Sequence, residues 1–431
     1  MGPKQVGEER QQLASPPAVK QQPEKQSLSQ VTNQLETQIV IDQINPPFHL
    51  PKFVNPEKEN PLLAGRLKYF IENWKMITLD PWILDTVMGY KINFVNYPFQ
   101  EKVPVGTRQN EEERVLIDQE VRSMKEKGAI QNGNFQGFVS NLFLVEKKGG
   151  GQRPVINLRQ LNHYIEYKHF KMEGIHVLKD LIQKGDYLVK LDMKDAYFTI
   201  PIHKDHQKFL QFQWENQLMQ FTCLPFGLAC APRVFTKLLK PVVAFFRRHG
   251  IRMIIYLDDM IVMNQCPLSL SQDLSLITHT LVNLGFVINR EKSQFEPVQK
   301  IEFLGYEVDS QNLLLSLPNS KLKKIKSKCS ALLKDPVTSV RTLASLLGMM
   351  VDTMRAVSVA PLHFRALQRD KNLALSKDKS YESLIHLSPE ALSDIDWWIH
   401  YLESWNGKNI LEVKPEVVIQ SDASTKGWGP T

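Results

Sequence analysis

The segment Met253-Ile254-Ile255-Tyr256-Leu257-Asp258-Asp259-Met260-Ile261-Val262-Met263 sets two adjacent carboxylates between two runs of β-forming apolar residues. This pattern predicts a hairpin whose turn carries both acids. Two acids in a solvated turn would be unremarkable on their own, but apolar flanks draw this turn toward a core. An unpaired carboxylate there costs on the order of several kcal/mol. A divalent cation removes the conflict, because hard cations take carboxylate oxygens as ligands. One hairpin supplies too few ligands, so a further acid has to come from elsewhere. The segment YLVKLDMKDAYF, residues 187–198, ends a second hydrophobic run on Asp192, with Asp195 three residues on in a tight turn. Taken alone, that segment reads equally well as an ordinary strand end.

The texture of the chain changes several times around these segments. Residues 1–60 are rich in Gln, Pro, Glu, Lys and Ser and poor in aromatics, which reads as a disordered leader. Helical spacing of Leu63, Leu67, Phe70, Ile71 and Trp74 predicts a helix that Asp80-Pro81 interrupts. A second helix is expected from about Asn110 to Lys127, acidic at its start and basic at its end, with Gly128 as its cap. Short apolar runs then alternate with helical stretches from 129 to 309: Val139 to Val145, Arg153 to Leu158, Tyr187 to Leu191, Leu210 to Trp214 and the hairpin itself. This is a mixed α+β region. Lys147-Lys148-Gly149-Gly150-Gly151 suggests a flexible hairpin tip, and no Gly-Lys-Ser/Thr follows to make it a phosphate loop. Residues 310–375 and 376–415 read as helical, the last helix capped by Ser388 and started by Pro389, and 416–431 revert to a strand.

Composition narrows the partners. Among 431 residues, 53 Lys and Arg against 46 Asp and Glu give a net charge of +7, a mild excess that fits a polyanionic partner. Cys223, Cys230, Cys266 and Cys329 form no CxxC or Cys/His cluster, so neither a zinc module nor a disulfide scaffold is indicated, and a reducing compartment fits. The N-terminus is too polar for a signal peptide. The longest apolar run, Pro241 to Phe246, stops at Arg247-Arg248, so no membrane partner is expected. The expected location is intracellular, in cytoplasm or nucleus.

LDMKDAYF, LPFGLACAPRVF and YLDD, in that order and at these gaps, resemble the A, B and C motifs of reverse transcriptases. VEKKGGGQRPVINLRQLN resembles the fingers strands of that family, LGFVINREKSQF its D motif, and IEFLGYEV its primer-grip hairpin. The resemblance covers Gly128 to Val308 closely. It implies a right-hand polymerase fold with fingers and palm over 129–309, thumb over 310–375 and a helical connection over 376–415. It also implies an RNA-directed DNA polymerase that acts on an RNA/DNA template-primer with dNTPs. Two Mg²⁺ ions, roughly 3.5 to 4 Å apart, would serve it, with Mn²⁺ as the alternative ion.

Residue by residue, the resemblance makes Asp192 and Asp258 the shared metal ligands and Asp259 the third carboxylate, with the Met193 backbone beside them. Lys147 and Arg153 match the fingers residues that clamp the β- and γ-phosphates, with Lys148 as the neighbouring alternative to Lys147. Asp195 and Ala196 would offer backbone groups to the triphosphate, and Tyr197 would be a steric gate against a 2′-hydroxyl. Phe226 would pack on the incoming nucleotide, and Gly227 would let the backbone approach it. Lys292 matches the lysine that protonates the leaving pyrophosphate. Tyr256 and Phe303-Leu304-Gly305-Tyr306 fall on primer and template, as do Lys321, Lys323 and Lys324 of the thumb helix; a nuclear-import signal is the other reading of that lysine run.

The flanks GRLKYFIENWKMITLDPWILDTVMGYKINF and SPEALSDIDWWIHYLESWNG resemble DIRS-type retrotransposons, which integrate through a tyrosine recombinase. VVIQSDASTKGWG resembles the first strand of a retroelement ribonuclease H, with Asp422 matching its first carboxylate. The sequence stops at Thr431, so ribonuclease H activity is not expected from it. The rival reading is a retroelement relic that binds nucleic acid without catalysis. The oligomeric state is not legible.

Overall fold

The computed structural model describes residues 51–59, 61–104, 109–134, 137–146, 152–411, 421–424 and 427–430. Three helices open the described chain: α1 (Ile71–Ile77), α2 (Pro81–Gly89) and α3 (Glu111–Glu126). Asn110 and Glu113 cap α3 reciprocally, each side chain accepting from the other residue's backbone N–H. Gly128 follows at φ 71°, a left-handed position that ends the helix at little steric cost to glycine. Strands β1 (Ile130–Asn132), β2 (Val139–Ser140), β3 (Leu142–Glu146), β4 (Gln152–Ile156), β5 (Tyr187–Asp192), β6 (Gln211–Trp214) and β7 (Gln217–Phe221) precede the long helix α4 (Ala231–Arg248). After it come β8 (Arg252–Tyr256), β9 (Asp259–Asn264), α5 (Pro267–Asn283), β10 (Gln294–Val298), β11 (Lys300–Phe303), β12 (Tyr306–Asp309) and β13 (Leu314–Ser316). The C-terminal part holds α6 (Asn319–Lys334), β14 (Val337–Ser339), α7 (Val340–Asp352), α8 (Arg365–Lys377), β15 (Leu384–His386), α9 (Pro389–His400), β16 (Lys408–Asn409), β17 (Ser421–Ser424) and β18 (Gly427–Pro430).

Three four-stranded sheets result, in the orders β1-β7-β6-β2, β10-β5-β9-β8 and β11-β12-β13-β16. The middle sheet is covered on both faces. Val189 and Leu191 of β5, with Met260 and Val262 of β9, enter one hydrophobic core, while Leu188, Ile254, Ile261 and Met263 enter a second. Side chains alternate across a strand, so a sheet with cores on both sides needs continuous apolar runs. That is the pattern of the segments 187–191 and 253–263.

The first core also takes in the N-terminal helices. Trp74 is fully buried, and its indole N–H donates to the Leu284 carbonyl at 2.9 Å. Asn73 donates to the Asn283 carbonyl at 2.8 Å. The chain joins this core before residue 60. Phe53 packs against it, and the Val54 N–H donates to Asn73 Oδ1 at 2.8 Å. The leader drawn to residue 60 therefore ends earlier on its C-terminal side, because Phe53 finds an apolar docking face and the Val54 backbone is bonded by Asn73. Residues 1–50 lie outside the described residues. The second core gathers α6, α7 and α9 under β11 and β12, with Phe303 and Trp398 fully buried within it. Helix α8 runs across the boundary drawn at residue 375; only its Leu367 is buried, and almost no apolar stripe marks its bounds.

Candidate active site

The hairpin of β8 and β9 closes on the pair Tyr256 and Asp259, leaving Leu257 and Asp258 as its two turn residues. Leu257 sits at φ 55°, a left-handed conformation that costs a side-chain-bearing residue about 1 kcal/mol or more. Strand β5 pairs antiparallel with β9 so that Asp192 lies directly opposite Asp259. The Met193 N–H donates to the Asp258 carbonyl at 3.0 Å, which ties the end of β5 to the turn. Two distant segments thus bring all three acids to one end of the sheet.

A third segment holds Asp192 by its backbone. Asn289 N–H donates to the Asp192 carbonyl at 2.8 Å, and the Asp192 N–H donates to Ser293 Oγ at 3.0 Å. Ser293 Oγ in turn donates to the Asn289 carbonyl at 2.7 Å. Sequence reasoning named only Lys292 in this turn; the polar run Asn289 to Ser293 after an apolar stretch was the signal for the other two.

The electrostatics of the acids are strained in one direction. Burial pushes the Asp192 carboxyl above the usual carboxylate range, opposed by Lys292, reinforced by Asp259, and opposed again by the Asn289 side chain and Lys190. Burial likewise raises Asp258, with Asp259 and Asp192 adding to the rise and Lys292 opposing it. Asp259 faces Lys190 on the same side of the sheet, Nζ to Oδ1 at 3.6 Å. The donor set is therefore hard carboxylate oxygen carrying excess negative charge, which suits a divalent ion. Among the described residues, however, no three His, Cys, Asp or Glu side chains converge to grip one metal ion. In this conformation Asp259 is engaged by the Lys190 ammonium.

The comparisons with known proteins meet on this region. Residues 145–308 match the sequence model of the family described as reverse transcriptase (RNA-dependent DNA polymerase). Over that stretch the chain is similar to reverse transcriptases, and it is similar as well to retrotransposon polyproteins. The Transposon Tf2-3 polyprotein of Schizosaccharomyces pombe is 24% identical over 226 residues, which is 52% of this chain. The Tf2-7 polyprotein of the same yeast is 23% identical over 226 residues. This chain spans only 16% of the length of these relatives. Among solved structures, a foamy viral protease-reverse transcriptase in complex with dsDNA aligns at a TM-score of 0.61 and 16% identity, over 88% of this chain and 78% of that one. The same enzyme with an RNA/DNA hybrid aligns at 0.58, over 82% of this chain and 48% of that one. The fold is accordingly that of a right-hand polymerase.

Around these acids, several of the nucleotide-pocket residues named from the motifs come together. Asp195 takes φ 47° and opens a short turn of Ala196, Tyr197, Phe198 and Thr199, all four buried. Its carboxylate pairs with Lys127 Nζ at 3.0 Å, so its side chain is committed to the end of α3. The Tyr197 ring lies 5.1 Å from that of Phe226 and 5.4 Å from that of Phe235. Burial, followed by the charge of Asp258, pushes the Tyr197 hydroxyl well above its ordinary range, so it stays a neutral phenol. Phe226 is 46% exposed despite its size, presenting an open aromatic face beside Tyr197. Gly227 takes φ 92°, where a side chain would be strained, and its carbonyl accepts from the Asn162 amide at 3.0 Å. Strands β3 and β4 pair as a hairpin with Arg153 opposite Val145. Lys147 and Lys148, and the side chain of Arg153, lie outside the described residues.

The primer-grip segment forms the two-residue turn Leu304-Gly305, at φ 49° and 78°, between Phe303 and Tyr306. Both positive angles mark a type I′ hairpin turn. Phe303 and Tyr306 are buried, which makes them framework for the turn rather than contact surface. Lys321, expected on primer and template, has its ammonium paired with Asp352, 4.7 Å over the Tyr306 ring and 3.4 Å from the Gly305 carbonyl. Lys323 and Lys324 stand exposed on α6, and among the described residues neither has an ion pair, while Lys326 pairs with Glu403 at 2.9 Å. Asp422 falls on β17 opposite Gly429 of β18. No described helix is long and apolar enough to cross a membrane.

Proposed function

We propose that this chain is an RNA-directed DNA polymerase that adds dNTPs to the 3′-hydroxyl of a primer held on an RNA or DNA template. The observation that carries this reading is the placement of Asp192 opposite Asp259 with Asp258 in the adjoining turn, inside a right-hand polymerase fold. Asp192, Asp258 and Asp259, with the Met193 backbone beside them, would hold two divalent ions, Mg²⁺ or Mn²⁺. When bound, such ions supply positive charge to the primer hydroxyl and the α-phosphate. Lys292, whose charge reaches Asp192 and Asp258, would hold a proton near the departing pyrophosphate. Tyr197, packed against Phe226 and Phe235, would close the space a 2′-hydroxyl needs. Lys147 or Lys148, with Arg153, would clamp the outer phosphates. Tyr256 and the Leu304-Gly305 turn would face the primer, and Lys323 and Lys324 the backbone phosphates.

The two flanks 65–94 and 388–407 favour a DIRS-type element within the retrotransposon class, and the four free cysteines fit a reducing, intracellular setting. The direct test is primer extension on poly(rA)/oligo(dT) with Mg²⁺, comparing the chain with Asp192→Asn. Extension that Asp192→Asn abolishes supports the reading. Salt-dependent binding to template-primer with no extension under any divalent ion refutes it in favour of a non-catalytic binder.

A further inference from the structure

Strand β8 is the outer strand of the acid-bearing sheet, so one row of its backbone groups has no strand to pair with. The two-residue turn makes Tyr256 and Asp259 the closing pair, with Ile254 opposite Ile261 and Arg252 opposite Met263. In such a ladder the intervening residues, Met253 and Ile255, turn their N–H and C=O groups outward. Two of these groups are met by side chains. The Ile255 N–H donates to Glu173 Oε2 at 3.2 Å, and Arg247 Nη2 donates to the Met253 carbonyl at 3.0 Å. The same Arg247 nitrogen lies 2.7 Å from Glu173 Oε1. Glu173 comes from the loop just before the short helical turns at 175–181 and Arg247 from the last turn of α4, so the two meet on this edge. Glu173, Arg247, Ile255 and Leu257 also line a cavity of about 560 Å³.

We infer that Glu173 and Arg247 are positioning residues for the acid hairpin, their ion pair standing in for a neighbouring strand on the outer edge of β8. A strand offers alternating acceptors and donors, and here a carboxylate supplies the acceptor and a guanidinium the donor. Ile255 precedes Tyr256, which closes the turn that carries Asp258, and Leu257 of that turn holds an unfavourable backbone angle. A hairpin with a strained tip keeps its geometry only while its stem is held. The consequence for turnover rests on the polymerase reading above; the hydrogen-bonding role does not.

The test is amide hydrogen exchange at Ile255 in the full chain, alongside primer extension. In Glu173→Ala the Ile255 amide loses a bond to a charged acceptor, and its protection falls about tenfold. Glu173→Gln keeps an acceptor at that distance and retains most of the protection. The reciprocal exchange, Glu173→Arg with Arg247→Glu, preserves the ion pair but points a donor at the N–H and an acceptor at the C=O. It should leave Ile255 as unprotected as Glu173→Ala does. In Glu173→Ala and in the exchange, kcat should fall with KM for dNTP little changed, and Glu173→Gln should rescue it. Undiminished protection in Glu173→Ala, or protection restored by the reciprocal exchange, overturns the strand-mimic role. Lost protection with unchanged kcat overturns the positioning role. A parent chain with no extension at all counts against the polymerase reading alone, since the amide measurement needs no turnover.

Discussion

Lys190→Met separates the charge at the acid cluster from its geometry. Lys190 and Asp192 share one face of β5, and Nζ lies 3.6 Å from Asp259 Oδ1, the two side chains being 25% and 31% exposed. At an effective dielectric of about 20, the gross attraction over that distance is about 4 to 5 kcal/mol. Desolvation and ordering of a partly exposed pair reduce the net value to about 1 kcal/mol. Met keeps the length and apolar stem of Lys and removes the ammonium. Without divalent ions, the variant leaves Asp259 beside Asp192 and Asp258 with one cation fewer, and should lose about 1 kcal/mol of unfolding free energy. With them, the sign reverses, because the ammonium no longer competes for Asp259. About 1 kcal/mol is about a fivefold gain in ion affinity. Mn²⁺ titration followed by electron paramagnetic resonance reads bound ion without primer or nucleotide, and urea unfolding with and without chelator reads stability. Weaker or unchanged Mn²⁺ binding in Lys190→Met would refute the claim that Lys190 and a divalent ion compete for one carboxylate.

Three further outcomes follow from the same structure. Asp258→Asn should abolish primer extension yet stabilise the ion-free protein at neutral pH. The folded-state carboxyl titrates above its ordinary value of 3.8, so the folded chain binds more protons and stability falls as pH rises through that window; urea unfolding from pH 4 to 7 should show a flatter profile for the variant. Tyr197→Val should raise ribonucleotide incorporation in extension assays and cost about 2 kcal/mol of stability, since the ring is 8% exposed and packed on two others; unchanged ribonucleotide use removes the gate role. Asp186→Ala strips a fully buried carboxylate that Arg252 grips at 2.6 and 2.7 Å and that the Gln183 N–H meets at 2.7 Å. Leaving that guanidinium unpaired should cost about 3 to 5 kcal/mol in urea unfolding, and a loss under about 1 kcal/mol would show that water replaces the carboxylate freely.

The hairpin that carries Asp258 and Asp259 was legible because everything defining it is local: two apolar runs, and a two-residue gap. Asp192 was legible as a strand end, but its position opposite Asp259 depends on how β5 registers against β9, and that came from the order of the motifs rather than from either segment alone. Lys190 was missed for a physical reason. A strand covered on both faces reads as one apolar run, so a single lysine inside it looks like an irregularity rather than a cation aimed at an acid. The surroundings of Lys321 were hidden for a different reason. Helical spacing says that Leu322, Ile325, Cys329 and Leu332 turn inward, yet it cannot say that Asp352 and Tyr306 wait across the gap for Lys321. Glu173 and Arg247 carry no local signal at all, since a loop glutamate and an arginine at a helix end are ordinary on any surface. The asymmetry has a cause. Acids that gather charge must sit on rigid, apolar-flanked turns, and such turns are written in contiguous sequence. The cations and clamps that make the gathering tolerable need only reach the site, and a long side chain can do that from any element the fold brings near. In this chain the acids of the site are therefore read from sequence, whereas Lys190, Glu173 and Arg247 become visible only through register and packing.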